Sequence, residues 1–292
     1  MKRLKNKSEG LLSFSDYKRV GPKIAYGIFI FLLIMFVLVA ITPILWLCIT
    51  SFKTVSEINS SDYHFFPEVF DIKKVIEVWN KVNFGRYYLN TIIVVLGSML
   101  CSVVFNGLLA YAIAVLKPVG HKIINGLILL GYMVPAALAI FPLSMQITQV
   151  GGINSYIPLC LMFGANAYYY LLFKDFFEKI PKALIEAARV DGMGDLGIFF
   201  KIVLPLSRSI IGVVAIFSMT AAYSDFLLPY TILQDTDMQT VMVGIYRLSS
   251  TTTLDSSELL MLLVISIIPQ IIIFIIFQKQ IMGTSTSAGI KE

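Results

Sequence analysis

Charged residues are scarce in this sequence. Only 14% of its 292 residues are Asp, Glu, Lys or Arg, and 57% are hydrophobic, whereas about a quarter of the residues of a soluble domain are charged. Several uncharged runs reach the length of about 20 residues that a helix needs to cross a bilayer. The composition therefore excludes an ordinary soluble domain and predicts an all-α polytopic membrane protein embedded in a lipid bilayer.

Cysteine, histidine and catalytic motifs are also scarce or absent. The three cysteines, Cys48, Cys101 and Cys160, lie far apart within apolar runs, so they indicate neither a disulfide framework nor a zinc site. The two histidines, His64 and His121, lie in separate loops. No G-x-x-x-x-G-K-[ST], H-E-x-x-H or G-x-S-x-G motif occurs. We therefore expect no catalytic residue, no metal site and no bound cofactor, and the net charge of +5 gives no reason to expect nucleic acid as a partner.

Six apolar runs predict six transmembrane helices. They cover about 24–50, 88–116, 123–150, 156–173, 205–223 and 259–277. The first run is longer than the apolar core of a cleavable signal peptide, which has about 7–15 residues, so we expect it to remain as a span. The chain then divides into an N-terminal segment (1–23), a first span with its loop (24–86), a five-helix domain (87–278) and a C-terminal tail (279–292).

Lys and Arg residues are unevenly distributed between the two sides of the predicted spans. If the N-terminus is cytoplasmic, the cytoplasmic segments hold 17 of the 23 Lys and Arg residues and the external segments hold 6. Basic residues accumulate in the cytoplasmic loops of membrane proteins. The distribution predicts that both termini and the charged segment 181–205 are cytoplasmic.

The charged segment contains a short amphipathic pattern. On a helix of about 100° per residue, one side carries the apolar residues Ile180, Leu184, Ala187 and Ala188. The opposite side carries the charged residues Lys182, Glu186 and Arg189. Pro181 suits the first turn, and Gly192 suits a left-handed stop. The pattern predicts a helix at the membrane surface, with an ordinary polar loop helix as the alternative.

Glycines after this helix spell G-x-G-x-x-G at 192–197. That motif indicates dinucleotide binding only between a strand and a helix, and here it follows a predicted helix. We expect these glycines to end one helix and shape the turn to the next.

Six polar residues lie within or at the ends of the predicted spans: Asn106, Tyr132, Asn166, Tyr223, Ser224 and Asp225. Polar side chains at membrane depth are costly, so each has a structural or a functional reason. They either form hydrogen bonds between helices or line a path for a solute, and the residues alone leave both interpretations open.

The charged segment resembles the EAA loop of bacterial ABC-importer permeases. The resemblance rests on Glu186-Ala187-Ala188, Asp191-Gly192 and Leu204-Pro205, in that order. It implies a type I permease with six transmembrane helices and a cytoplasmic coupling helix that contacts an ATPase subunit. The implied contact residues are Glu186, Ala187, Ala188, Arg189, Asp191, Gly192, Leu204 and Pro205. Met193 departs from the alanine that is usual after Asp-Gly.

Further stretches resemble the six-span partner of maltose-type carbohydrate permeases. They are Tyr88-Leu89-Asn90-Thr91, Gly152-Ile153-Asn154-Ser155, Ser224-Asp225-Phe226-Leu227-Leu228-Pro229 and the small polar tail. Tyr223-Ser224 stands where the family usually has Trp-Asn, which weakens any transfer of substrate residues. The family also implies tail contacts with the ATPase, here through Ser285, Thr286, Ser287 and Lys291.

The resemblance implies a bacterial inner-membrane importer with several subunits. The partners would be a second homologous permease, an ABC ATPase dimer that holds ATP and Mg²⁺, and an extracytoplasmic sugar-binding protein. The permease itself would bind no cofactor and would not be an enzyme. Because EAA loops are shared among type I importers, a polyamine, phosphate or other solute is an alternative to sugar. A membrane enzyme or a non-transporting scaffold is a further alternative.

Overall fold

The computed structural model describes residues 20–62, 64–251 and 253–288. The residues divide into two compact units, with the division between Asp71 and Ile72. The domain boundary predicted at 86–87 lies within the second unit. The predicted N-terminal segment up to residue 19 and Lys291 lie outside the described residues.

The first unit contains helix α1 (Val20–Thr50) and the short helix α2 (Val55–Asn59). A capping box starts α2: the Thr54 hydroxyl accepts the Glu57 N–H at 3.3 Å, and the Glu57 carboxylate accepts the Thr54 N–H at 2.5 Å. The same carboxylate accepts the N–H of Glu68 at 2.7 Å. These bonds hold the loop that follows α1 in a defined conformation.

The second unit is a helical bundle. Its helices are α3 (Lys73–Lys81), α4 (Phe84–Tyr111), α5 (His121–Met133), α6 (Ala136–Gln149), α7 (Ile157–Gly164), α8 (Ala167–Phe177), α9 (Lys182–Val190), α10 (Asp195–Ile198), α11 (Leu204–Leu206), α12 (Arg208–Ser224), α13 (Leu227–Ile232), α14 (Val241–Ser249) and α15 (Ser256–Ala288). Five-residue π-helical segments follow α4 (Ala112–Leu116) and α10 (Phe199–Val203), and a short 3₁₀ turn lies at Thr236–Met238. The described residues contain no β-strand, so the all-α prediction is confirmed.

Three described helices are long and apolar enough to cross a membrane, namely those at 24–50, 84–116 and 256–278. Two bent pairs raise the number to five if each pair forms one span. The structure therefore does not confirm the count of six. The predicted third span is one of these pairs, with a bend of 101° between α5 and α6. Val134, which precedes Pro135 at this bend, is extended, as residues before proline tend to be.

The predicted fourth span is interrupted rather than continuous. Helix α7 ends at Gly164, and α8 begins at Ala167. The side chain of Asn106 on α4 bridges the break, because its amide N–H₂ donates to the Phe163 carbonyl at 2.9 Å and its oxygen accepts the Asn166 N–H at 3.0 Å. Backbone groups freed by a helix break are tolerated at membrane depth when other groups satisfy them in this way.

Helix α4 lies at the centre of the bundle and contacts α7, α8 and α12, while α12 also packs against α15. A large buried cluster, called the core cluster below, joins α4 and α8 to α9 and the segment after α10. Its fully buried side chains include Tyr170, Phe173, Ile198, Phe199 and Val203. Burial of aromatic and branched side chains of this size gives the cluster most of its stability.

Candidate functional site

Helix α9 ends in a Schellman motif. Gly192 has a φ of +79°, and its N–H donates to the Arg189 carbonyl at 3.0 Å. The N–H of Met193 donates to the Ala188 carbonyl, also at 3.0 Å. A side chain at position 192 would be strained at this φ. The prediction that Gly192 provides a left-handed stop is confirmed.

The buried side of α9 differs from the predicted one. Ile185 and Ala188 are buried, with 6% and 4% of their surface exposed, whereas Leu184 is 45% exposed and Ala187 is also exposed. The predicted apolar side is therefore not one surface, because Leu184 and Ala187 are exposed while Ala188 is buried. The contact with the ATPase that the resemblance implies for Ala188 does not fit this burial. The amphipathic pattern assigned Ile185 to neither side. Its side chain packs into the core cluster with that of Ala188, and this packing anchors the helix. Pro181 precedes the helix as its N-cap rather than lying in its first turn.

The outward side of α9 is part charged and part apolar. Glu186 is exposed, and it has no hydrogen-bond or ion-pair partner in the part of the chain that the structure describes. Ala187 beside it is exposed, and Val190 is 88% exposed. Small and apolar side chains around one unpaired carboxylate form a surface to which a partner could dock closely.

An ion pair joins α9 to α10. The Arg189 guanidinium lies 3.1 Å from the Asp195 carboxylate, and both side chains are about half exposed. Exposed pairs of this kind contribute little free energy, but this one spans the turn that contains Gly192. Asp191 is the C-cap of α9, and its N–H donates to the Ala187 carbonyl at 3.0 Å.

A cleft of about 410 Å³ lies between α9, the π-helical end of α4 and the end of α8. Its charged lining residues are Lys117, Glu178, Lys182, Glu186 and Arg189. Glu178 accepts a hydrogen bond from Lys174 at 2.9 Å. Positively and negatively charged side chains therefore both line the cleft. Glu186 belongs to this lining and also to the outward side of α9.

The segment from α10 to α12 turns sharply at Ser207. Leu204 and Pro205 lie in the short helix α11, and an angle of 84° separates the segment 195–206 from α12. The fifth span, predicted from residue 205, corresponds to this second bent pair, and its longer helix α12 begins at Arg208, after the turn. Ser207 is fully buried and donates its hydroxyl to the Val203 carbonyl at 2.6 Å, which stabilises the turn.

Asn106 and Asn166 make hydrogen bonds within the bundle. Asn106 is 1% exposed, and besides bridging the helix break it donates to the Ser102 carbonyl at 2.9 Å. Asn166 caps α8, since its side-chain oxygen accepts the Tyr169 N–H at 3.1 Å. These contacts agree with the interpretation that the two residues form hydrogen bonds within the protein. A role in a solute path stays a prediction for both residues.

Tyr132 and Tyr223 lie in different surroundings. Tyr132 is 54% exposed and its ring stacks on that of Tyr168, with 6.5 Å between centroids. Tyr223 is buried, and its hydroxyl donates to the Ser266 carbonyl on α15. Of the two, only Tyr132 presents its ring to the surface of the described chain.

Ser224 and Asp225 end α12 and begin the turn to α13. The Ser224 hydroxyl accepts a hydrogen bond from the Gln270 amide at 3.1 Å. Burial raises the pKa of the Asp225 carboxyl above its usual range, and hydrogen bonds from the backbone N–H groups of residues 226–228 act in the opposite direction. Asp225 thus lies just before Phe226, the N-cap residue of the short helix α13.

The structure brings together three aromatic residues for which the sequence predicted no shared site: Phe226, Tyr230 and Tyr246. Their rings contact one another next to Asp225, at the end of α12 opposite to the one that joins α11. The spacing of Phe226 and Tyr230, four residues apart, is the only local signal of this cluster. Tyr246 comes from α14, and no sequence pattern joins it to the other two.

Comparison with known proteins identifies the chain's family. Residues 104–282 match the family described as "Binding-protein-dependent transport system inner membrane component". The chain belongs to this family. It is therefore a membrane-embedded permease subunit of an ABC importer and not an enzyme, as predicted, and it works with a partner permease, an ATPase and a binding protein.

Two relatives match this permease along most of its length. It is 32% identical over 262 residues to the diacetylchitobiose uptake system permease protein NgcG of Streptomyces coelicolor, which covers 88% of this chain and 86% of that protein. It is 31% identical over 277 residues to the galactooligosaccharides transport system permease protein GanQ of Bacillus subtilis, with 90% and 95% covered.

A crystal structure supports the fold of the permease. A chain of a bacterial ABC transporter involved in the import of the acidic polysaccharide alginate superposes with a TM-score of 0.77 at 22% identity. The match covers 92% of this permease and 99% of that chain. The likeness confirms an ABC permease fold.

The C-terminal helix of the permease extends further than predicted. Helix α15 continues to Ala288, so Ser285, Thr286 and Ser287 belong to it, whereas the predicted span ended near residue 277. A contact of these residues or of Lys291 with an ATPase stays a prediction.

Proposed function

We propose that this permease subunit imports a sugar or oligosaccharide that an extracytoplasmic sugar-binding protein delivers. Besides the two relatives above, the arabinooligosaccharides transport system permease protein AraQ of Bacillus subtilis is 28% identical over 88% of this chain. Another relative is named for sn-glycerol-3-phosphate transport, at 29% identity over 68% of the chain. The oligosaccharide names among the long matches support a sugar or oligosaccharide as the solute.

The observation that carries the coupling mechanism is the geometry of α9. In the proposal, both termini and α9 face the cytoplasm, in agreement with the distribution of Lys and Arg residues. Glu186 pairs with a basic group on the ATPase, and Ala187 lets the ATPase surface approach closely. Because Ile185 and Ala188 pack in the same cluster as α4 and α8, a displacement of α9 is passed to the bundle.

The other subunits supply what this chain lacks. A second homologous permease completes the translocation path, and the ABC ATPase dimer binds ATP and Mg²⁺. Closure of that dimer would move the coupling helices together and open the spans outward. Arg189, Asp191, Gly192, Leu204 and Pro205 shape the loop that carries α9, and residues 285–287 and 291 of the C-terminal tail form a further ATPase contact.

Competition in uptake assays tests the solute class. The complete importer, reconstituted with its binding protein, would be assayed for ATP-dependent uptake of labelled diacetylchitobiose, galactooligosaccharides and arabinooligosaccharides. We expect one sugar to be imported, and excess unlabelled sugar to inhibit its uptake while spermidine and phosphate do not. Import of spermidine or phosphate with no sugar uptake would identify a non-sugar importer, and absence of any ATP-dependent uptake would favour a scaffold.

A further inference from the structure

Three aromatic rings form a corner beside Asp225. The Phe226 and Tyr230 rings stack with centroids 5.2 Å apart and an angle of 27° between their planes. Tyr246 meets Tyr230 at 88° with a centroid distance of 5.4 Å, and it meets Phe226 at 4.9 Å. The Tyr230 and Tyr246 rings are therefore perpendicular walls, and we call the three residues the aromatic corner.

The helices that carry the aromatic corner are fixed by burial. On α13, the side chains of Leu228 and Ile232 are buried, and on α14 those of Val241, Val243 and Ile245 are buried. Tyr230 and Tyr246 point away from these buried sides, with 39% and 48% of their surfaces exposed. The corner is thus a partly exposed surface on a rigid support.

The loop after α13 is also held in place. Asn154, which has a φ of +54°, donates its N–H to the Ile232 carbonyl at 2.9 Å. Its side-chain oxygen accepts the N–H groups of Gln234 and Asp235, at 2.7 and 2.9 Å. These bonds fix the end of α13 relative to the turn before α7, so the ring geometry does not depend on a free loop.

Polar groups surround the aromatic corner. The Arg247 guanidinium lies 5.5 Å from the centroid of the Tyr230 ring. The hydroxyls of Tyr230 and Tyr246 make no hydrogen bond to any residue that the structure describes. Phe226 stacks on the Tyr230 ring and the Arg247 guanidinium lies over it, so Tyr246 is the more open ring. An exposed ring with an unused phenol hydroxyl near a guanidinium matches a sugar ring, which has apolar C–H faces and a rim of hydroxyl groups.

We propose that the aromatic corner is a contact site for one sugar unit of the imported solute, which stacks on Tyr246 beside Tyr230 while Arg247 donates hydrogen bonds to its hydroxyls. This inference rests on the proposed function, because it names residues for the same transport path. Tyrosines that only anchor a protein at the membrane interface need neither perpendicular ring packing nor a guanidinium over one ring. The relatives named for oligosaccharides favour a sugar over a lipid headgroup as the occupant.

The test uses the complete importer in proteoliposomes with its binding protein, and the probe is diacetylchitobiose or whichever sugar of the panel above gives the highest uptake. Tyr230→Leu and Tyr246→Leu should lower the maximal uptake rate by roughly two- to tenfold, since one aromatic contact is lost. The apparent KM for sugar-loaded binding protein should stay unchanged. Tyr230→Phe and Tyr246→Phe retain the rings and should restore most of the rate. Tyr26→Leu, at a tyrosine of similar exposure on α1, is the matched control.

Each other outcome would overturn the sugar contact. A raised KM for the loaded binding protein at unchanged maximal rate would indicate a protein docking surface instead. Poor recovery of Leu and Phe variants alike from the membrane would indicate an interfacial anchor. Unchanged uptake in both Leu variants would rule out the site while leaving sugar import intact, whereas a wild-type importer that transports no sugar of the panel would overturn the proposed function itself.

Discussion

Glu57 shows how one side chain can organise a loop. Its carboxylate accepts hydrogen bonds from the N–H groups of Thr54 and Glu68 and from the Thr54 hydroxyl. These bonds, led by the one from Glu68, lower its pKa from 4.5 to about 2. A carboxyl whose pKa is lower in the folded state stabilises that state above its unfolded pKa. The contribution of Glu57 is therefore complete above about pH 4.5 and is lost as the pH falls towards about 2.

Hydrogen exchange tests this pH dependence at the residue scale. In the purified importer, protection of the Thr54 and Glu68 amides, corrected for intrinsic rates, should stay constant from pH 7 to about pH 4.5 and decrease below it. Glu57→Gln should lower protection at pH 7 and remove the pH dependence. Glu68→Gln keeps the Glu68 N–H and should behave like wild type. A Glu57→Gln profile identical to wild type would contradict this assignment.

At the scale of elements, the bundle depends on how its interrupted helices are completed. The break between α7 and α8 is bridged by Asn106, and the close approach of α4 explains why Gly164 stands at the end of α7. A Cβ at position 164 would lie 2.8 Å from the Phe105 ring. The contacts of Asn106 are thus hydrogen bonds within the bundle, and its role in a solute path stays a prediction.

Replacement of Asn106 tests this bridge. Asn106→Leu leaves the Asn166 N–H without its partner, and the Phe163 carbonyl keeps only the 3.3 Å hydrogen bond from the Ser102 hydroxyl. The loss should cost about 1–3 kcal/mol of unfolding free energy. Ser98→Ala is the matched control, because Ser98 is fully buried on the same helix and its hydroxyl has no partner among the described residues. Denaturant titration of the purified permease should show a loss for Asn106→Leu and none for Ser98→Ala. Equal losses would argue against a specific role of the Asn106 bonds.

At the scale of the whole molecule, α9 and the aromatic corner lie at opposite ends of α12. The core cluster contains side chains from α4, α8, α9 and α12. A movement imposed on α9 can therefore reach the helices that carry the candidate path residues without a flexible link. The coupling proposal requires this rigidity, since packed interiors transmit displacement.

Reversal of one charge on α9 tests the coupling of the whole importer. Glu186→Lys should reduce ATP-dependent uptake by at least about 100-fold. The substitution removes the pairing of a docked carboxylate with its basic partner and adds charge repulsion, which together cost several kcal/mol. Membrane insertion should be unaffected, since Glu186 is exposed. Asp175→Lys makes the same charge change at another exposed position, where only a surface pair with Lys179 is lost. Normal uptake by Glu186→Lys, or equal loss in both variants, would refute a specific coupling role.

The sequence by itself determined the membrane class, the all-α fold, the position of α9 and its stop at Gly192. These features follow from local properties: the length of apolar runs, helical periodicity and the backbone freedom of glycine. The family also followed, because the order of motifs from Glu186 to Pro205 is local as well.

Only the tertiary structure decided which side of α9 is buried and which spans are interrupted. Ile185 rather than Leu184 is buried because the aromatic side chains of α8 and the segment after α10 meet the helix on that side. Asn106 forms a bridge only because the break between α7 and α8 lies next to its side chain. The aromatic corner joins Phe226 and Tyr230 to Tyr246 through the packing of two separate helices. Such contacts depend on the relative positions of elements, which periodicity and propensity do not specify.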